Sequence, residues 1–156
     1  MVIGIFGESC TGKSTLADKL KDILNAECFT GKDYLRLAKS ESMAKRIFQK
    51  KLNEVSSGEH IIYVISEKEH LELLPEQAVR VLVTAELNII KERFTQRMRG
   101  QLPTPVEAML EKKHGCFDSE MHDIHVKSGQ NDLDEVCTSI QNIINMKENH
   151  AETEAE

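Results

Sequence analysis

The segment Gly7-Glu8-Ser9-Cys10-Thr11-Gly12-Lys13-Ser14-Thr15 constrains the fold of this chain more than any other stretch. It fits the pattern G-x-x-x-x-G-K-[ST], in which small glycines let consecutive backbone N–H groups curl around a phosphate at a helix N-terminus. Lys13 is placed to reach the β and γ phosphates of a nucleotide. The Ser14 hydroxyl is placed to ligate Mg²⁺, and Thr15 lies beside the loop. With glycine near ~7% of residues, chance yields such a pattern on the order of once in a few hundred chains of this length. The setting argues further against chance. An apolar run, Val2–Phe6, comes directly before the motif, and Leu16, Ala17, Leu20, Ile23 and Leu24 come after it at helical spacing. The loop therefore joins the carboxyl end of a strand to an amphipathic helix.

Strand-like and helix-like segments alternate along the whole chain, which predicts an α/β fold with a parallel sheet and helices on both faces. Residues 27–30 read as a weak second strand. A long helix comes next with Ala44, Ile47, Phe48, Leu52 and Val55 on one face, stopped by Ser56, Ser57 and Gly58. Residues 60–66 read as a central third strand and 68–74 as a short helix ended by Pro75. Val79, Val81 and Val83 alternate with Arg80, Leu82 and Thr84 as a fourth strand. A helix then opens at Glu86 with Leu87, Ile90 and Phe94 inward, and Gly100, Pro103 and Pro105 break the chain after it. Thr104-Pro105-Val106-Glu107 has the form of a new helix start with Thr104 as cap. Residues 122–127 read as the fifth strand. Asn131 is expected to cap a last helix with Leu133, Val136, Cys137, Ile140, Ile143 and Ile144 on one side. The reading is one domain over residues 1–146 and an acidic, disordered tail over 147–156.

On the phosphate loop at the N-terminus, the five-strand αβ spacing, the segment Thr30-Gly31-Lys32-Asp33-Tyr34-Leu35-Arg36 and the arginine-bearing helix after strand 4, the chain resembles the P-loop small-molecule kinases. That group includes adenylate, cytidylate, shikimate, gluconate and adenylylsulfate kinases. The resemblance implies strand order 2-3-1-4-5, ATP and Mg²⁺ as donor, an acceptor site between strand 2 and the long helix, and a mobile lid, here residues 97–121. Gly7 to Gly12 with Lys13, Ser14 and Thr15 would then bind the donor. The segment after strand 2 is similar to the family's Thr-Gly-Asp-x-x-Arg motif, with Lys32 inserted after the glycine. An arginine at Arg36 can clamp an anionic acceptor, and the Asp33 carboxylate can orient the attacking oxygen or take its proton. The bland alternative is a helix start in which Asp33 is a cap and Arg36 a solvated residue. Arg93, Arg97 and Arg99 sit where the family places lid arginines, and Arg93 and Arg97 share a helical face. Many P-loop proteins end strand 3 with an Asp near Mg²⁺, whereas this chain has Ser66-Glu67. Glu67 and Glu8 are the candidate replacements.

These features point to an ATP- and Mg²⁺-dependent phosphotransferase for a small anionic acceptor, a nucleoside monophosphate first. A kinase for a small hydroxyl acceptor and a nucleotide-binding regulatory module without transfer activity are the alternatives. Composition narrows the partners. With 20 Lys and Arg against 26 Asp and Glu, and formal charge −6, the chain has no global positive field for nucleic acid. It has no apolar stretch near the roughly 20 residues of a membrane helix and no secretory leader, so it is expected in the cytoplasm. Cys10, Cys28, Cys116 and Cys137 have no C-x-x-C spacing and read as free thiols, and the loop position of Cys10 favours a lowered pKa. His114, Cys116, His122 and His125 cluster in sequence, but His122 and His125 on one strand should face opposite ways, against zinc. Lys13 itself is read as an exposed loop lysine with little part in packing.

Overall fold

Five strands, β1 (Val2–Phe6), β2 (Glu27–Thr30), β3 (Ile61–Ile65), β4 (Val79–Thr84) and β5 (Ile124–Lys127), pair in parallel in the order β2-β3-β1-β4-β5. The structure is a computed structural model that describes residues 1–155. β1 and β3 are the most apolar segments and are buried at every position, as strands with neighbours on both edges and layers on both faces must be. Their register sets Ile5 opposite Val64 on one side and opposite Val81 on the other.

The strict alternation of side chains divides the core in two. Ile3, Ile5, Val64, Val79, Val81 and Val83 face the helices α1 (Lys13–Leu24) and α5 (Leu133–Ala155). Val2, Phe6, Tyr63, Ile65 and Leu82 face the opposite side, where α2 (Glu41–Asn53) covers β2 and β3 with Ala44, Phe48 and Leu52. Phe48 is fully buried, with Phe29 and Tyr63 each 4.9 Å away between ring centroids. Burial of such a side chain contributes about 2–3 kcal/mol. The β3 to β4 crossover carries only a short 3-10 segment, Lys68–Leu73. On this face the β4 end of the sheet is covered by Phe117, which packs on Phe6 at 5.8 Å. Two further helices, α3 (Leu87–Arg97) and α4 (Thr104–Lys113), lie beyond the carboxyl end of β4, joined by a turn through Arg99 and Gly100 at positive φ. Lys91 of α3 is hydrogen-bonded to Glu107 and Glu111 of α4 at 3.2 and 2.5 Å.

Several local expectations fail for identifiable reasons. The final helix continues through Ala155 where a disordered tail is expected from residue 147. That stretch contains no Gly or Pro, a helix already nucleated gains one bond per added residue, and Lys147 donates to the Ala78 carbonyl at 3.2 Å and pairs with Asp123 at 3.3 Å. Asn131 does not cap this helix. Its Oδ1 accepts from Lys127 N, whereas Asp132 Oδ1 accepts from Asp134 N at 2.8 Å. Thr104 is the first helical residue of α4 and Pro103 its cap. Ile47, expected on the inner face of α2, is 40% exposed.

Candidate active site

The phosphate loop is wedged into the sheet before it curls. Gly7 N donates to Ile65 O of β3 at 3.2 Å, and a Cβ on Gly7 would lie 2.1 Å from Val83 O of β4. Only glycine permits that approach. Further along, Cys10 (φ 65°) and Gly12 (φ 99°) take left-handed conformations, and α1 begins immediately after. Left-handed residues in such a turn aim successive N–H groups into a concavity that suits an anion.

Lys13 departs from the sequence reading. It is 5% exposed, and its Nζ donates to Glu8 O at 2.6 Å, an oxygen that also accepts from Thr11 Oγ1 at 2.9 Å. Its pKa is lowered from the ordinary 10.5 to about 8, chiefly by burial and in smaller part by the nearby Arg97, against the opposing influence of Cys10 and Glu8. A cation held this way lacks its counter-charge, which an incoming phosphate would supply. Ser14 is exposed at the head of α1, where a hydroxyl is available to a cation beside the loop. Cys10 is buried in an apolar cluster with Ala85, Ile90 and Leu110, so its side chain serves packing between the loop and the helices above it.

Arg93 and Arg97, four residues apart, both line a cleft of about 750 Å³ with Thr15, Ser128 and Asn131. Arg93 is bound in place. Its Nη1 donates to Cys10 O and its Nη2 to Ser128 Oγ, each at 3.0 Å. Ser128 and Gly129 escape the sequence reading as site residues. The signal for them is their position after β5, since ligands of open parallel sheets bind outside the carboxyl ends of strands.

Glu8, named from the sequence as a carboxylate candidate near Mg²⁺, makes contacts that the sequence reading did not anticipate. Its side chain is 10% exposed, with Oε1 3.1 Å from His114 Nδ1 and Oε2 accepting from Gly115 N at 3.2 Å. The loop carboxylate thus grips the turn that ends α4. Glu8 and His114, with Thr84, Asp118, His122 and His125, line a second cavity of about 570 Å³. The histidine geometry differs from expectation. β5 begins only at Ile124, so His122 precedes the strand and its ring lies 5.7 Å from that of His125. His125 Nε2 is 2.7 Å from Thr84 Oγ1, and burial lowers its pKa.

Asp33 and Arg36 occupy a 3-10 segment, Asp33–Leu37, at the carboxyl end of β2. Two strand spacings separate β2 from β1, about 10 Å. Asp33 Oδ2 accepts from Thr30 N at 2.9 Å, a bond back to the end of β2; Lys32, not Asp33, is the cap of the segment, and no side chain caps it. The Arg36 guanidinium lies 4.6 Å from the Phe29 ring centroid, and both Asp33 and Arg36 are exposed. Tyr63 donates to Gly31 O at 2.8 Å and fixes the segment to β3.

Comparison with known proteins bears on this arrangement. No family model and no curated protein sequence matches the chain. Solved structures do. A gluconokinase from Sinorhizobium meliloti 1021 superposes with TM-score 0.62 at 14% identity, over 97% of this chain and 96% of that one. The YorR protein of Bacillus subtilis, in complex with phosphorylated GDP, gives TM-score 0.62 at 21% identity, over 96% and 99%. Shikimate kinase from Aquifex aeolicus gives 0.54 at 20%, over 97% and 99%. Among the described residues no helix is long and apolar enough to cross a membrane. The chain has the fold of the P-loop small-molecule kinases, a five-stranded parallel sheet of order 2-3-1-4-5 with the phosphate loop after its central strand.

Proposed function

We propose that this chain is an ATP-dependent phosphotransferase acting on a small anionic acceptor, with a nucleoside monophosphate as the leading substrate. The observation that carries the reading is Lys13, a buried cation whose pKa burial lowers, at the end of a loop with two left-handed residues and within the influence of Arg97. A structural lysine gains nothing from that placement, whereas a phosphate-binding one does.

In this mechanism the amides of residues 7–14 and the Lys13 ammonium hold the donor's phosphates, and the Ser14 hydroxyl offers a ligand to Mg²⁺. When bound, Mg²⁺ neutralises charge on the transferring group. Arg93 orders the loop through the Cys10 carbonyl, and Arg97, facing the same cleft, balances negative charge as the phosphoryl group moves. Arg36 offers a planar fork to the acceptor's anionic group, and Asp33 positions the oxygen that attacks. Residues 97–121, from the end of α3 through α4, act as a lid whose far end is held by Glu8. The formal charge of −6 suits a small-molecule partner better than a phosphate polymer.

One observation favours a hydroxyl acceptor as the second reading. Asp33 engages Thr30 N through Oδ2 and stays exposed, which leaves it competent to take a proton that a phosphate acceptor does not carry. The deciding experiment is an ADP-release screen across nucleoside monophosphates and small hydroxy acids, run beside Lys13→Ala. Turnover confined to monophosphates supports the first reading, and turnover confined to hydroxy acids supports the second. Nucleotide binding with no turnover on any acceptor would refute transfer and leave a regulatory module.

A further inference from the structure

The carboxyl end of β3 runs into Glu67, which caps the 3-10 segment Lys68–Leu73 in place of a full crossover helix. His70 N donates to Glu67 O at 3.1 Å, the first bond of this turn, which holds the two residues near one another. With Glu69 they form a group whose ligand atoms all lie within 4.8 Å of one another, the only such group of three or more among the described residues. Two carboxylates alone would mean little. His70, however, is 5% exposed, and its Nδ1 is buried without a hydrogen-bond partner. A neutral imidazole offers one donor and one acceptor nitrogen, so an orphaned ring nitrogen inside the protein asks for an electron-pair acceptor or donor. The ring is fixed by Tyr34 and Tyr63, each 6.2 Å away between centroids, edge-on and tilted. That wall removes the rotamer freedom a metal ligand would otherwise lose on binding.

We propose that Glu67, Glu69 and His70 form a binding site for a Zn²⁺-class divalent ion. One imidazole and two carboxylates, completed by water, make the four-coordinate set that Zn²⁺ accepts, while an all-oxygen cation such as Mg²⁺ gains little from imidazole. Tetrahedral ligation places donor atoms about 3.4 Å apart. The two exposed glutamates have the freedom to close that distance around a fixed His70. The ion would staple the segment that replaces the β3 to β4 helix, and Glu67 would then serve this ion rather than the Mg²⁺ of the phosphotransfer reading.

Equilibrium dialysis against Zn²⁺ with excess Mg²⁺ tests the site on the full chain. The wild type should bind one equivalent, and Zn²⁺ should slow amide exchange over residues 68–73. Glu67→Gln/Glu69→Gln changes only exposed side chains, keeps the fold and should weaken Zn²⁺ at least as much as the roughly 100-fold that loss of an outer-shell partner can cost. His122→Gln, which removes an imidazole of the other histidine pair, should leave binding unchanged. His70→Gln should lose binding, and if it does not fold the glutamate variant still decides. No Zn²⁺ on the wild type, or full retention by the double glutamine variant, overturns the proposal. Loss in His122→Gln alone moves the metal elsewhere and overturns it equally.

Discussion

Replacing Lys13 with methionine should make the nucleotide-free protein more stable while removing its response to nucleotide. The folded protein holds Lys13 with a pKa of about 8 against the ordinary 10.5. That difference corresponds to about 3 kcal/mol of stability lost to burying the charge. Methionine fills similar space without charge, and Glu8 O keeps the Thr11 hydroxyl as a partner, so no buried carbonyl is orphaned. Loss of the ammonium's own hydrogen bond offsets part of the gain, which leaves about 1–3 kcal/mol, or roughly 3 to 10 °C in Tm for a chain of this size. The pH dependence is specific. Below pH 8 the folded and unfolded chains both keep the proton, and the penalty is complete. Between about 8 and 10.5 the folded chain has released it and the unfolded chain has not, so wild-type stability rises with pH and the gap to the mutant closes. Urea unfolding of both proteins at pH 7, 8, 9 and 10, with and without ADP and Mg²⁺, measures all of this. A mutant less stable than wild type at pH 7, or a gap that does not change with pH, refutes the account of Lys13.

Gly7→Ala should cost more than about 3 kcal/mol or prevent folding, because its Cβ would meet a backbone oxygen 2.1 Å away with no flexible side chain to yield; circular dichroism and urea titration read it. Arg93→Ala should weaken nucleotide binding, since it frees the Cys10 carbonyl and Ser128, whereas Arg97→Ala should lower the transfer rate more than nucleotide affinity; separate titration and turnover measurements distinguish them. Arg36→Ala should cost about 1.5–3 kcal/mol of acceptor binding and leave the donor unaffected, with Arg36→Lys recovering part of the loss, as isothermal titration of each ligand would show.

The β1-loop-α1 unit is legible because its information is local: an apolar run, a glycine pattern and a 3.6-residue period occupy adjacent residues. Strand order comes from the family resemblance and is observed. The features that escape the sequence depend on distant partners. The Cys10 carbonyl meets Arg93 across 83 residues, and Glu8 meets His114 across 106. Strand periodicity misplaces His122, because the pattern runs two residues beyond where β5 pairs. The charge of residues 147–155 suggests disorder, although helix propensity and the Lys147 anchor outweigh it. Asp33 shows the limit from the other side. A cap and a functional role both favour an aspartate at this place, and the bond Asp33 makes, back to Thr30 N with Lys32 as the cap, is neither.

The ties that shape the phosphate loop also set the order in which a refolding chain becomes competent. β1 and α1 contain everything needed to form a strand, a turn and a helix within the first 24 residues. Yet the Cys10 carbonyl waits for Arg93, and the Glu8 carboxylate waits for His114 and Gly115, contacts spanning 83 to 107 positions. Closing loops of that length is slow relative to local structure, because chain entropy must be lost before the contact repays it. A refolding time course read by far-ultraviolet signal and by capture of a fluorescent nucleotide should therefore separate, with helical signal first and nucleotide capture last. The signature loop of this fold is written early in the chain and finished late in its folding.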